Sequence, residues 1–139
     1  MPRIELAPWS AAKAEAQRIR FTVFVEEQGV PPELEMDDMD PHCVHALAFE
    51  GSEAVGTGRL LPDGHIVRMA VLKSWRGRGV GAALVRRLID AARERGDAAV
   101  VLSAEVHALG FYQAHGFTAY GPVYEEAGIP HQEMRLSLR

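Results

Sequence analysis

One cysteine, Cys43, is all the thiol chemistry in this chain of 139 residues. An intrachain disulfide is excluded, and so is a zinc site built on several thiolates. The chain also lacks an excess of positive charge: 15 Lys and Arg stand against 19 Asp and Glu, a formal net charge of -4 with His neutral. Neither nucleic acid nor an anionic membrane surface is therefore an expected partner. No apolar run approaches membrane-spanning length, and the stretch from Met1 to Leu6 lacks the apolar core of a signal peptide. A cytoplasmic setting is expected. Internal repeats, low-complexity tracts and linker-like stretches are missing too, so residues 1–139 are read as one domain. What the chain does have is apolar content, 47% of its residues, enough to build a packed core.

Turn residues divide the chain into elements. Residues 4–7 read as a short strand. Ser10 is placed as a helix cap, with Ala11, Ala12, Lys13, Ala14, Glu15 and Ala16 compatible with helix after it. Ile19, Val23 and Phe24 extend an apolar face. Residues 26–41 are acidic and punctuated by Pro31, Pro32 and Pro41, which predicts a long loop with at most a short helical turn. Loops of that length in a compact domain are often functional. Strands at 44–49, 54–61 and 66–72 follow, separated by Gly51-Ser52-Glu53 and Pro62-Asp63-Gly64, the pattern of an antiparallel meander. Val80, Leu84, Leu88 and Ala91 predict an amphipathic helix over 80–95 that stops at Gly96. A strand at 98–102, a short helix at 106–115 and closing strands at 117–120 and 133–138 complete the order. The expected fold class is a mixed α/β sheet of the α+β kind with helices packed on it.

Between the third meander strand and the long helix stands Arg76-Gly77-Arg78-Gly79-Val80-Gly81. Glycines in a strand-to-helix turn leave backbone N–H groups with no side chain in front of them. The start of the helix adds free amides and the positive end of its dipole, so the turn suits a phosphate. Two nucleotide patterns are missing around it. A Walker loop needs Lys-Ser/Thr after its last glycine, where this chain has Ala82-Ala83. A Rossmann fingerprint needs an early βαβ unit, where this chain has a meander.

Arg76-x-x-Gly79-x-Gly81, after Val67-Arg68-Met69-Ala70-Val71, resembles the acetyl-CoA signature of the GNAT superfamily of N-acetyltransferases. Ala108-Leu109-Gly110-Phe111-Tyr112-Gln113-Ala114-His115-Gly116-Phe117 resembles a later motif of that superfamily, an aromatic-Tyr pair followed by Gly-Phe. Val23-Phe24-Val25-Glu26-Glu27-Gln28 and Gly128-Ile129-Pro130-His131 are similar to its bacterial ElaA-like subgroup. The resemblance covers most of the chain. It implies a central, mostly antiparallel mixed sheet flanked by helices, and acetyl-CoA as co-substrate without a metal. The acceptor it implies is a small-molecule or peptide amine.

The resemblance also implies roles. The amides of Gly77, Gly79, Val80 and Gly81 would hold the CoA pyrophosphate, with Arg76 and Arg78 adding charge-assisted contacts. Met69, Ala70 and Val71 would offer main-chain groups to the pantetheine arm, where their strand splays from the strand at 98–102. Tyr112 would protonate the leaving thiolate. The chemistry needs such parts, because an amine attacks a thioester only when neutral and a base must take a proton. Glu105, where many relatives carry Asn or Gln, and Glu27 are the candidate bases, and Glu105 also reads as a merely solvated carboxylate. Segments 21–41 and 120–131 would wall the acceptor pocket, with Phe24, Arg59 and His131 as candidate acceptor contacts.

Plainer readings stand beside these. His131 reads as an exposed histidine in a Gly-Ile-Pro-His turn, and Arg59 and Arg68 as outward-facing strand residues. The Asp37-Asp38-x-Asp40 run reads as a solvated loop without the rest of a calcium site. His42 and His45 beside Cys43 lack a clear fourth metal ligand. A non-catalytic acyl-CoA-binding module on the same fold, or a nucleotide binder, would also use the glycine turn. The two closing strands offer an edge through which a homodimer can pair.

Overall fold

Val80, Leu84, Val85, Leu88 and Ala92 recur every three or four residues and are buried together. They form the inner face of helix α3, Val80–Arg95, which ends at Gly96 in a left-handed conformation. That helix covers one side of a four-stranded antiparallel sheet in the order β1-β2-β3-β4: β1 Arg3–Ala7, β2 Val44–Glu50, β3 Glu53–Leu60 and β4 Ile66–Val71. Side chains of successive strand residues point to opposite faces. Ala46 and Ala48 of β2 therefore join α3, while Leu47 between them packs with Ala12 and Ala16 of helix α1, Trp9–Arg20, on the other side. Burying a Leu such as Leu84 or Leu88 contributes about 1.5–3 kcal/mol, so the α3 face is a substantial source of cohesion. The computed structural model describes residues 2–139.

A second antiparallel sheet has the order β5-β7-β6, with β5 Ala99–Glu105, β6 Thr118–Glu126 and β7 Ile129–Ser137. Helix α2 is a single turn, Pro32–Glu35, and helix α4, Leu109–Gln113, lies between β5 and β6. Val100, Leu102, Ala104 and Met134 of the second sheet enter the same core as α3, giving one continuous apolar interior. The two sheets meet at one parallel bridge, His65 with Val101, where the Val101 N–H donates to the Gly64 carbonyl at 3.1 Å. Gly64 is required there. Its φ is +94°, and a Cβ would lie 2.8 Å from the Ala99 carbonyl oxygen.

Three local expectations are corrected. Ser10 is not the cap: α1 starts at Trp9, and the Pro8 carbonyl accepts the Ala11 and Ala12 N–H groups at 3.0 Å. The proline, extended at φ -71°, sets the helix start before a side-chain cap is needed. The segment at 26–41 is not one loop. α1 widens into a π-helical turn, Phe21–Glu27, and a 3₁₀ turn, Asp40–His42, precedes β2. His131 is not in a turn. β6 and β7 run nine residues each, joined through Ala127 and Gly128, both at positive φ. That is a two-residue type I′ geometry, which usually advertises itself as Asn-Gly. Ala-Gly, with Pro130 just beyond, hid it.

Candidate active site

β4 and β5 leave the His65–Val101 bridge in the same direction and part, opening a cleft of about 440 Å³. Val67 and Met69 line it from β4, Ser103 and Glu105 from β5, and Phe24 and Leu34 from the chain before β2. Tyr112 and His131 also face into it. On β4 the ladder slips between Thr57–Ala70 and Arg59–Val67, so β4 carries one extra residue. Arg68 takes that bulge at φ +56°, a conformation that costs a non-glycine residue about 1–2 kcal/mol. Its guanidinium is tied to the Glu35 carbonyl at 3.1 and 3.2 Å, which anchors the bulge to α2. Among the described residues the cleft edge of β4 has no further strand partner, so its main-chain groups, apart from the Val71 carbonyl that Arg76 occupies, remain available to an extended, amide-bearing ligand.

At one end of the cleft's β4 wall lies the head of α3. Gly77 and Gly79 sit at φ +76° and +83°, and a Cβ on either would be strained. The first helical bond runs from the Ala83 N–H to the Gly79 carbonyl at 3.0 Å, and no side chain caps the helix. The N–H groups of Val80, Gly81 and Ala82 thus have no intrahelical acceptor. A diphosphate fits the dipole, the bare amides and the missing side chains. Arg78 stacks over Trp75 at 5.0 Å and stays at the surface of this turn.

Tyr112 of α4 is fixed by edge-on rings, Phe111 at 4.9 Å and Phe117 at 5.9 Å. Burial, together with the negative charge of Glu105, pushes its phenol up to about 12. The phenol therefore keeps its proton at neutral pH. Glu105 ends β5 inside the cleft and is hydrogen-bonded to His107 Nε2. β7 pairs His131 directly opposite Glu105 and, on its other side, opposite Tyr124. Phe24, Tyr112, Glu105, His131 and Met69 are therefore brought together around one cleft.

Other expected residues are not. Glu27 lies outside the cleft and is held by Arg76 through two bonds of 2.6 and 2.8 Å. The Arg76 hydrogen bond lowers its pKa, the wrong direction for a base. Arg76 in turn donates Nε to the Val71 carbonyl at 3.0 Å, so its charge is spent on the protein rather than facing the glycine turn. Arg59 is not outward-facing but buried at 2% exposure, bound to Asp37 at 2.6 Å and Asp40 at 2.7 Å. Nor is the acidic run solvated throughout, although Asp37 and Asp38 are exposed. Asp40 is buried and also takes two bonds from Arg20, at 2.9 and 3.2 Å, while Glu35 pairs with Arg20 Nε.

Arg20, Arg59 and Arg68 thus balance Glu35, Asp37 and Asp40 charge for charge. The Arg59 hydrogen bond is the main cause that brings Asp37 down to about 2. Burial opposes the charge of Asp40, but Arg20 and Arg59 keep its pKa below the ordinary value. His45 lies under this network, its Nε2 donating to the Asp40 carbonyl at 2.8 Å, and burial lowers its pKa. His42, His45 and Cys43 converge on no shared ligand site among the described residues.

Ser103 is the cleft residue that went unnamed, although its alternation with Glu105 along β5 was the available signal. Gln28, Tyr124 and Glu126 fall inside the wall segments 21–41 and 120–131, but nothing in the sequence singled them out. Arg68 was read as an outward-facing strand residue, and its place on the cleft depends on the β4 bulge.

The sequence matches the acetyltransferase (GNAT) domain family over residues 10–138. The chain belongs to the GNAT acetyltransferase family. Its relatives include the uncharacterized N-acetyltransferase YjcF of Bacillus subtilis, 38% identical over 120 residues, which are 84% of this chain and 86% of that protein. ElaA of Escherichia coli is 34% identical over 82% of this chain and 80% of its own. The crystal structure of ElaA superposes with a TM-score of 0.88, covering 99% of this chain and all of that one. An acyl-CoA N-acyltransferase from Pseudomonas aeruginosa, 30% identical, superposes with a TM-score of 0.87 and the same coverage. The GNAT assignment makes this chain an acyltransferase, and the splayed β4–β5 pair is the cleft of its acyl-CoA N-acyltransferase fold.

Proposed function

We propose that this protein transfers an acetyl group from acetyl-CoA to a primary amine, with Tyr112 as general acid. The observation that carries the proposal is the geometry of the cleft. An uncapped helix head with two left-handed glycines stands at one end of its β4 wall, a strand edge without a partner runs along that wall, and a protonated phenol lines it. Val80, Gly81 and Ala82 are the residues to hold the diphosphate, and Met69, Ala70 and Val71 the residues to align the peptide-like arm. The bound co-substrate supplies an activated thioester carbonyl. A main-chain N–H at the Arg68–Met69 bulge suits the developing oxyanion, because the ladder leaves that stretch of β4 unmatched. Tyr112 donates its proton to the departing sulfur.

The acceptor side differs in charge. Glu105, Glu126 and Glu133 stand on the β5-β7-β6 face near the cleft, while Arg68 across from them is already bound. A small cationic amine, or an amine on a peptide, suits that wall better than an acidic acceptor does. The test is release of free CoA from acetyl-CoA with a panel of amines. Turnover with at least one amine is expected. Tyr112→Phe is expected to lower kcat about a hundredfold or more with CoA affinity within twofold. CoA binding with no transfer to any amine would replace this reading with a non-catalytic acyl-CoA-binding module.

A further inference from the structure

We infer that His131 accepts the proton of the attacking amine, through its Nε2 atom. The inference rests on the acetyltransferase reading above and names a residue that reading leaves open. Of the two carboxylates expected as bases, Glu27 is locked to Arg76 outside the cleft, and Glu105 is hydrogen-bonded to His107. His131 is differently placed. It lines the cleft from β7, half-buried, directly across the ladder from Glu105.

Its tautomer follows from one hydrogen bond. Nδ1 lies 2.7 Å from the Ile129 carbonyl oxygen. A carbonyl can only accept, so Nδ1 carries the hydrogen, and in the neutral ring Nε2 holds the lone pair. Among the described residues no protein group is bonded to Nε2. The Tyr124 ring, nearly parallel at 24° and 6.1 Å away, sets the plane of the imidazole. The bond to Ile129 and the stacked ring together orient a bare nitrogen, which is what a general base requires and a merely structural histidine does not.

The groups around it suit the imidazolium that forms. Glu105 faces it from β5, Glu126 and Tyr124 stand on β6, and Glu133 lies two residues along β7 on the same face. His107 is bonded to Glu105, and Ser103 to Tyr124. Across the cleft, Arg68 and Glu35 are both committed to the buried network. Carboxylates therefore dominate the face of the sheet that His131 shares.

The step balances. The amine nitrogen forms a bond to the thioester carbonyl carbon, and its proton passes to His131 Nε2. The carbon–sulfur bond breaks, the electron pair leaves with sulfur, and Tyr112 supplies the proton that makes the thiol. One proton returns through solvent from His131 to Tyr112, which resets both groups.

Two measurements decide the point. In the first, kcat/KM is followed against pH for the parent and for His131→Gln, with CoA affinity and thermal unfolding recorded for each. The expected result is a kcat about a hundredfold or more lower, CoA affinity within twofold, and an acidic limb less steep by one ionisation, the amine's own remaining. Partial rescue of His131→Ala by added imidazole is expected as well. A limb of unchanged steepness in His131→Gln that becomes shallower in Glu105→Gln would overturn the inference. Absence of turnover in the parent would instead overturn the acetyltransferase reading. In the second, the ¹⁵N spectrum of the neutral His131 ring in the intact protein should show Nδ1 protonated and Nε2 bare. The opposite tautomer would overturn the inference whether or not any variant folds.

Discussion

The head of α3 and the chain from Phe21 to Cys43 meet at the Arg76–Glu27 pair, yet they are built from different materials. The helix head is backbone: glycines at positive φ, amides without acceptors, and a strand edge beside them. The other region is side chain: Arg20, Arg59, Glu35 and Asp40 are buried together, and Asp37 and Arg68 extend the network to its partly exposed edge, where Arg68 hooks β4 onto it. Backbone recognition is indifferent to what else the protein does, so the donor side can stay fixed while the acceptor side changes. Ionic construction is directional and fails when one member is removed, so this wall of the cleft depends on a few specific side chains.

The comparison breaks most visibly at Asp40. Asp40→Asn leaves Arg20 and Arg59 buried with less than their full counter-charge and should cost about 3–5 kcal/mol in urea unfolding. CoA affinity of the folded fraction should hardly change. A loss below about 1 kcal/mol would mean that the network is no more than a surface arrangement.

Gly79→Ala probes the other material. Forcing a Cβ into φ +83° should cost about 1–2 kcal/mol, and displacing the first-turn amides should weaken CoA binding about tenfold. The amine KM should be unchanged. A change in the amine KM alone would assign the turn to the wrong substrate.

Acid separates the two regions further. Asp37 and Asp40 are both depressed below their ordinary value of 3.8, Asp37 to about 2. A depressed carboxylate contributes stability that is complete above its unfolded pKa and is lost as pH falls through its folded one. Thermal unfolding between pH 5 and pH 2 should therefore show the loss beginning near 3.8, and Asp37→Asn should flatten it.

The smallest effect belongs to Glu27→Gln. Its pair with Arg76 is partly exposed, so stability should shift by less than about 1 kcal/mol and kcat should stay the same. A hundredfold fall in kcat would restore Glu27 as the base.

The same contrast explains what the sequence made legible. The meander, the 80–95 helix and the glycine turn were readable because they obey local rules of turn chemistry, helical period and positive φ. Tyr112 was readable as a residue of the cleft because it sits in a contiguous motif. Arg59 was misread because nothing local distinguishes an arginine on a strand from one buried against Asp37 and Asp40, 22 and 19 residues earlier. The placement of His131 in a turn was wrong because Ala127-Gly128 makes a hairpin turn without its usual residues, and only the pairing with β5 shows which way the histidine faces.

The central claim is that the donor lies along β4 and the head of α3. The most direct test is a titration of CoA into the ¹⁵N-labelled protein, followed on backbone amides. Val80, Gly81 and Ala82 should shift together with Met69, Ala70 and Val71 and saturate at one affinity, with ATP far weaker. Shifts confined to other elements, or an equal response to ATP, would contradict it.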